Sequence, residues 1–246
     1  MNKRGLKTVA IIQARMGSTR LPGKVLKDLN GETVLSRVVK RARRAAFLNE
    51  VIVATSILPA DDVIVEHCKR LDVECFRGDE LDVLDRYYQA ACKANADLIV
   101  RITSDCPLID PQLIDAHVER LIESWSKVDF VTNMVKQTYP LGLAVEAMPR
   151  DVLARMKRMS DSDALKEHVT SLVYAEPHLF KIENVLHPVD LSDLRWTVDT
   201  QEDLDLVRLL FRHFGHDRFS WEEVLPLMKQ HPEWVAINKH VRQKTG

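Results

Sequence analysis

The stretch Val9-Ala10-Ile11-Ile12-Gln13-Ala14-Arg15-Met16-Gly17-Ser18-Thr19-Arg20-Leu21-Pro22-Gly23-Lys24-Val25-Leu26 decides how the rest of the chain is read. Residues 9–12 are short, β-branched and apolar, as expected of a strand buried on both faces of a parallel sheet. The strand runs into a basic loop. Arg15, Arg20 and Lys24 supply charge-assisted donors for phosphate oxygens, Gly17 and Gly23 permit close backbone approach, and Ser18 and Thr19 add hydroxyls. A Walker A loop is excluded, because five residues separate Gly17 from Gly23 and Val25 follows Lys24 where that motif needs Ser or Thr. The G-x-G-x-x-G fingerprint of dinucleotide sites is missing too. On spacing alone, the competing reading is a solvated basic turn after a first strand.

Working outward, residues 33–46 carry Val34, Leu35, Val38, Val39 and Ala42 at helical spacing, with Arg37, Lys40, Arg41, Arg43 and Arg44 forming a basic outer face. A strand over 50–55, a helix over 59–71, a strand over 73–76 and a helix over 81–95 follow. Such alternation predicts an α/β fold, a mostly parallel sheet with helices on both faces. A strand over 97–102 leads to Asp105. Ligands gather beyond the carboxyl ends of strands in such sheets, and Asp110 with Pro111 already caps the next helix, which leaves Asp105 for a ligand.

The alternation then weakens. A strand is expected over 128–132, a turn entering a strand over 139–148, a helix beginning at Pro149, and another over 162–174 containing Glu167 and His168. The run 194–199 reads as a strand delivering Asp199 before a helix capped by Thr200, with Asp203 in the capping-box position. Asp199 either assists that cap or serves a ligand. With Asp105 it would place two carboxylates on the sheet edge that bears the basic loop, a plausible arrangement for magnesium and a triphosphate. Trp221, Leu225 and Met228 predict a final packed helix.

Composition narrows the function classes. The 246 residues sum to a formal net charge of −1, so no general nucleic-acid footprint is present. The start, Met1 to Gly5, lacks the apolar segment of a signal peptide, and no stretch of 18 apolar residues is present. A cytoplasmic protein without membrane or nucleic-acid partners is the expectation. Cys68, Cys75, Cys92 and Cys106 form no C-x-x-C pair and read as reduced structural thiols, and His67 beside Cys68 lacks a ligand set for zinc.

Several ordered blocks together resemble one family. They are residues 14–24, Ser104-Asp105-Cys106-Pro107-Leu108-Ile109, Lys166-Glu167-His168-Val169-Thr170 and Arg195-Trp196-Thr197-Val198-Asp199-Thr200. The chain is similar over almost its entire length to the cytidylyltransferases acting on acylneuraminate and 3-deoxy-manno-octulosonate, most closely to the spore coat polysaccharide biosynthesis branch. The resemblance implies a Rossmann-like, GT-A-like nucleotidyltransferase fold, one domain over 1–246, with an acceptor and dimerisation region around 133–190. It implies CTP and Mg2+, transfer of the cytidylyl group to a small acidic sugar, release of pyrophosphate, and a homodimer. By position, Ala14, Arg15, Gly17, Ser18, Thr19, Arg20 and Lys24 would bind the nucleotide, with Arg15 and Lys24 on the triphosphate and Asp85-Arg86 toward base and ribose. Asp105 and Asp199 would hold the metal, and Gly142, Glu146, Glu167 and His168 would lie near the acceptor. Glu146 and His168 are the candidates for a general base. Ala144 departs from the branch's usual aspartate, which leaves the acceptor open.

Two other readings compete. A glycosyltransferase consuming a sugar nucleotide would hold its metal with Asp-x-Asp at a strand end. Asp161-Ser162-Asp163 and Asp203-Leu204-Asp205 fit those letters, but both read as solvated carboxylates at helix starts. A non-catalytic nucleotide-binding module would not need two metal carboxylates.

Overall fold

A computed structural model describes residues 5–243, so the basic start read at residues 1–4 lies outside the described residues. The apolar run near the start forms β1 (Thr8–Gln13), and the chain proceeds through α1 (Val34–Ala42), β2 (Glu50–Ser56), α2 (Asp62–Arg70), β3 (Glu74–Gly78), α3 (Val83–Lys93) and β4 (Leu98–Thr103). α4 (Pro111–Glu123), β5 (Phe130–Thr132), β6 (Glu146–Pro149), α5 (Arg150–Met159), α6 (Asp163–Glu167), α7 (Ser171–Ala175) and β7 (Ile182–Asn184) follow, then α8 (Gln201–Phe214), α9 (Trp221–Gln230) and α10 (Pro232–Asn238). Seven strands make one sheet in the order β3-β2-β1-β4-β6-β5-β7. Every strand runs the same way except β6, which is antiparallel to β4 and to β5.

The pleat explains why β1 and β2 are apolar at most positions. Successive side chains point to opposite faces, so Val9 and Ile11 join one core while Ala10 and Ile12 join the other, and β2 divides in the same way. The first core includes α3, α5 and α7; the second includes α1, α4, α8 and α9. Tyr87 on α3 is buried, and its hydroxyl donates to the carbonyls of Ile11 and Ile102 at the adjoining ends of β1 and β4. From β1 the order runs outward to β2 and β3 on one side and to β4 on the other. The crevice where that order reverses is where open α/β sheets bind ligands.

Several sequence expectations are refined. The helix expected over 33–46 stops at Ala42 and is capped by the Thr33 hydroxyl, and its outer face is not uniformly basic. Arg41 points inward: its guanidinium donates to the carbonyls of Ile109, Asp217 and Phe219, joining α1 to the turns before α4 and α9. Burial lowers its pKa to about 10, with Asp110 opposing that shift. The helix expected over 162–174 is broken between α6 and α7, because Val169 turns into the core and the Thr170 hydroxyl donates to buried Glu146 at 3.0 Å. The run 194–199 is not a strand of the sheet. β4 is flanked by β1 and β6, so the run cannot pair beside it. It lies instead past the end of β4, where the Val198 amide donates to the Asp105 carbonyl at 2.8 Å and a single bridge joins Arg195 to Leu141. His67 is tied by Nε2 to the hydroxyls of Thr33 and Ser36, and all four cysteines are free. Among the described residues, no helix is long and apolar enough to cross a membrane.

Candidate active site

The loop after β1 is shaped by its own backbone. The Gly23 amide donates to the Met16 carbonyl at 3.1 Å, and Gly23 adopts φ 67°, a left-handed conformation glycine takes without penalty. The Met16 amide donates to Asp61 Oδ1 at 2.7 Å, which fixes the loop to the segment after β2. The Ser18 hydroxyl is committed to the loop as well, accepting from the Leu21 amide at 3.3 Å. The result is an open cavity of about 460 Å³ at the crevice between β1 and β4. Ala14, Arg15, Gly17, Ser18, Thr19, Arg20 and Lys24, the residues expected to bind a nucleotide, all line it.

Across the cavity stand Asp105, beyond the end of β4, and Asp199, before α8. Lys24 Nζ lies 2.7 Å from Asp105 Oδ2 and 2.7 Å from Asp199 Oδ1. Burial pulls the Lys24 pKa down, but the two carboxylates outweigh it and hold the ammonium above the usual lysine value. Burial pushes Asp105 up, while Lys24 outweighs that effect and keeps its carboxyl below the usual range. Asp199 Oδ2 accepts from Arg195 Nη2 at 2.8 Å and lies 2.9 Å from Arg20 Nη2. Two oxygens from separate carboxylates thus converge on one cationic centre. This donor set fits a hard divalent ion, which is commonly bound by one or two carboxylates together with substrate phosphates. Among the described residues no group of three or more His, Cys, Asp or Glu is placed to hold a metal, so phosphate oxygens would have to complete the shell.

Asp203 is where sequence reasoning went astray. It is fully buried, not solvated, and does more than close the capping box of α8. Its carboxylate accepts from Arg195 Nε at 2.8 Å, from Asn238 Nδ2 at 2.8 Å, and from the amides of Asp199 and Thr200 at 3.0 Å each. Every one of these donors would have to be given up for Asp203-Leu204-Asp205 to bind a metal. Asp199 takes no part in the cap through its side chain, which is directed at Lys24, Arg20 and Arg195.

The acceptor side is divided. Glu167 and His168 line the cavity, and Glu167 Oε1 lies 3.6 Å from Arg15 Nη2 across its mouth. Glu146 does not line it. Glu146 is buried, pairs with Arg101, and accepts from the hydroxyls of Thr170 and Tyr174. Gly142 is also behind the wall, at φ 113°, where a Cβ would stand 2.6 Å from the Thr197 amide nitrogen. Arg86 is buried and lines the cavity, its Nη1 donating to the Asp79 carbonyl at 2.8 Å, whereas Asp85 faces outward and pairs with Lys157 at 2.6 Å. Sequence reasoning missed Gln13, Thr103 and Ser104, which line the cavity at the ends of β1 and β4, and Gln243 from the far end of the chain. The first three sit at strand ends and were findable by that rule; Gln243 had no local signal.

Comparison with known proteins places the geometry in a context. Residues 9–220 match the family model for cytidylyltransferase. The chain is 32% identical over 231 residues to the spore coat polysaccharide biosynthesis protein SpsF of Bacillus subtilis, covering 91% of this chain and 94% of that one. A 3-deoxy-manno-octulosonate cytidylyltransferase of Solibacter usitatus is 40% identical over 118 residues, 47% of this chain and 45% of the relative. Among solved structures, a cytidylyltransferase from Leptospira borgpetersenii superposes with a TM-score of 0.91 at 30% identity, covering 98% of this chain and 100% of that one.

Proposed function

Because the chain belongs to the cytidylyltransferase family, we propose that it transfers the cytidylyl group of CTP to a hydroxyl of a small acidic sugar, releasing pyrophosphate, for surface polysaccharide or glycoconjugate assembly. The observation that carries this reading is the convergence of Asp105 and Asp199 on Lys24 inside a cavity rimmed by Arg15 and Arg20. Such a reaction needs positioning and charge neutralisation more than a covalent residue. Arg15, Arg20 and Lys24 hold the triphosphate and neutralise charge gathering on the leaving pyrophosphate. As the acceptor oxygen bonds to the α-phosphorus, the bond from that phosphorus to the bridging oxygen breaks, and His168 takes the acceptor proton. Asp105 and Asp199 would hold Mg2+, which supplies Lewis-acid polarisation of phosphate oxygens. Glu146, committed to Arg101, Thr170 and Tyr174, has no free oxygen for the proton.

The acidic class of acceptor follows from the family resemblance and from the 3-deoxy-manno-octulosonate relative, and the polysaccharide role from the spore coat relative. Incubation with CTP, magnesium and a panel of acidic sugars, followed by assay of pyrophosphate and CMP conjugates, tests the reading. Conjugate formation with an acidic sugar is the expected result. Pyrophosphate without conjugate would mean hydrolysis, and no pyrophosphate with any sugar would sink the proposal. The same reading includes a homodimer paired through the region around 133–190, where Val135, Leu186 and Val189 are each at least half exposed. A monomer mass by light scattering at working concentration would overturn that part.

A further inference from the structure

The last described residues of the chain return to the phosphate loop. α10 ends at buried Asn238, whose Nδ2 donates to the Arg195 carbonyl at 2.9 Å and to Asp203 Oδ1 at 2.8 Å. Beyond this anchor the tail makes two contacts at the site. Gln243 Oε1 accepts from Arg195 Nη1 at 2.8 Å, and the Arg242 carbonyl accepts from Arg20 Nη1 at 3.1 Å. Arg195 and Arg20 each direct their other terminal nitrogen, Nη2, at Asp199 Oδ2, at 2.8 and 2.9 Å. Both tail contacts therefore fall on the two guanidiniums that grip one oxygen of one carboxylate. A guanidinium is a rigid planar fork, so fixing one N–H fixes the direction of the others. With Oδ2 held from both sides, Oδ1 is turned toward Lys24 and the cavity.

We propose that residues 242–243 form a C-terminal strap that fixes Arg195 and Arg20 on Asp199, making Gln243 a positioning residue of the nucleotide site. The inference rests on the cytidylyltransferase reading and on Asp199 as a cation ligand. Gln243 acts through Arg195, which pairs with Asp199, so its loss weakens the part of nucleotide affinity that depends on the metal and spares the part that does not; loss of the Arg242 contact also loosens Arg20 on the triphosphate. A residue that touched the nucleotide would affect both parts, and a residue important only for folding would change neither while lowering thermal stability.

The test is calorimetric titration of CTP into the full chain, once with magnesium chloride and once with EDTA. In the unaltered protein, magnesium tightens CTP binding. In Gln243→Ala that metal-dependent gain falls about tenfold, the size expected for one lost charge-assisted hydrogen bond, while binding in EDTA changes less than twofold; a chain ending at Val241 loses the same gain and, through Arg20, part of the binding in EDTA as well. Lys239→Ala, exposed at the end of α10, keeps the full gain. An unchanged gain in both tail variants overturns the strap. An equal loss with and without magnesium in Gln243→Ala also overturns it, because it means direct contact with the nucleotide. No CTP binding by the unaltered protein would instead defeat the functional reading beneath it, and CTP binding without any metal gain would defeat the metal role of Asp199 and the strap together.

Discussion

Replacing Glu146 by glutamine separates a structural from a chemical role at the residue that the sequence marked as acceptor-side and a candidate base. Its Oε2 pairs with Arg101 while its Oε1 accepts from Thr170 and Tyr174. Glutamine keeps the shape but has one oxygen. That oxygen turns to Arg101, the amide faces the two hydroxyls, and both hydroxyls rotate to accept. Every hydrogen bond is then restored, and what is lost is the counter-charge of a guanidinium that is only 16% exposed. Breaking a buried pair by neutralising one partner costs about 3–5 kcal/mol. The surviving hydrogen bond to Arg101 places Glu146→Gln near the lower figure, about 3 kcal/mol. For a chain of this size that lowers Tm by roughly 6–12 °C. Thermal unfolding followed by circular dichroism measures the shift, and pyrophosphate release at 15 °C, well below either transition, measures function. Turnover within about threefold of the unaltered enzyme is expected there. An unshifted Tm with turnover reduced a hundredfold or more, the size of effect a general base supplies, would refute the structural assignment.

Asp105→Asn is expected to lower magnesium-dependent pyrophosphate release by about two orders of magnitude while circular dichroism shows a retained fold; unchanged release would remove Asp105 from the metal site. Gly142→Ala forces a methyl to within 2.6–2.7 Å of backbone atoms of Trp196 and Thr197 at a left-handed φ. A loss of about 3 kcal/mol or more in chemical denaturation is expected, with CTP binding reduced because residues 196–197 lead to Asp199. Burial lowers the pKa of His117 to about 4. Between about pH 6.5 and pH 4 the unfolded chain therefore binds a proton there that the folded chain does not, so this group alone makes stability fall by about 1.4 kcal/mol per pH unit on acidification. His117→Gln should flatten that part of the stability profile in urea titrations, and a profile of unchanged slope would count against it.

The first half of the fold was legible because its signals are local. β1, β2 and β4 are short, doubly buried runs, and Asp110 with Pro111 announces α4 without reference to anything distant. The basic loop after β1 was legible as one cluster because its charges lie within eleven residues, from 14 to 24. Reading weakened where tertiary contacts decided the backbone. A helix-period pattern over 162–174 was overridden by the demand of Glu146 for the Thr170 hydroxyl, and the strand-like run 194–199 found β4 already paired on both sides. Arg41 and Asp203 show the limit most clearly. Charged residues on helices look solvated in a sequence, and only the fold reveals the carbonyls or guanidinium that bring them inside. The convergence of Lys24, Asp105 and Asp199 joins residues more than 170 positions apart in sequence; the strand-end rule and the family resemblance both paired the two aspartates in advance, although Asp199 follows no strand of the sheet.

The Asp203 carboxylate gathers a helix start, an arginine, the end of α10 and the amides of Asp199 and Thr200 onto two oxygens. This ties the opening of the site to the unravelling of a long helix, and so to a slow, cooperative event. The amide hydrogens of Asp199 and Thr200 should then exchange with solvent on the timescale of the core, not of the surrounding loops. On the proposed reading, in which several arginines bind a polyanion and Asp199 holds a metal, the benefit is entropic: the grip on that carboxylate is already formed when substrate arrives, and no binding energy is diverted to ordering it.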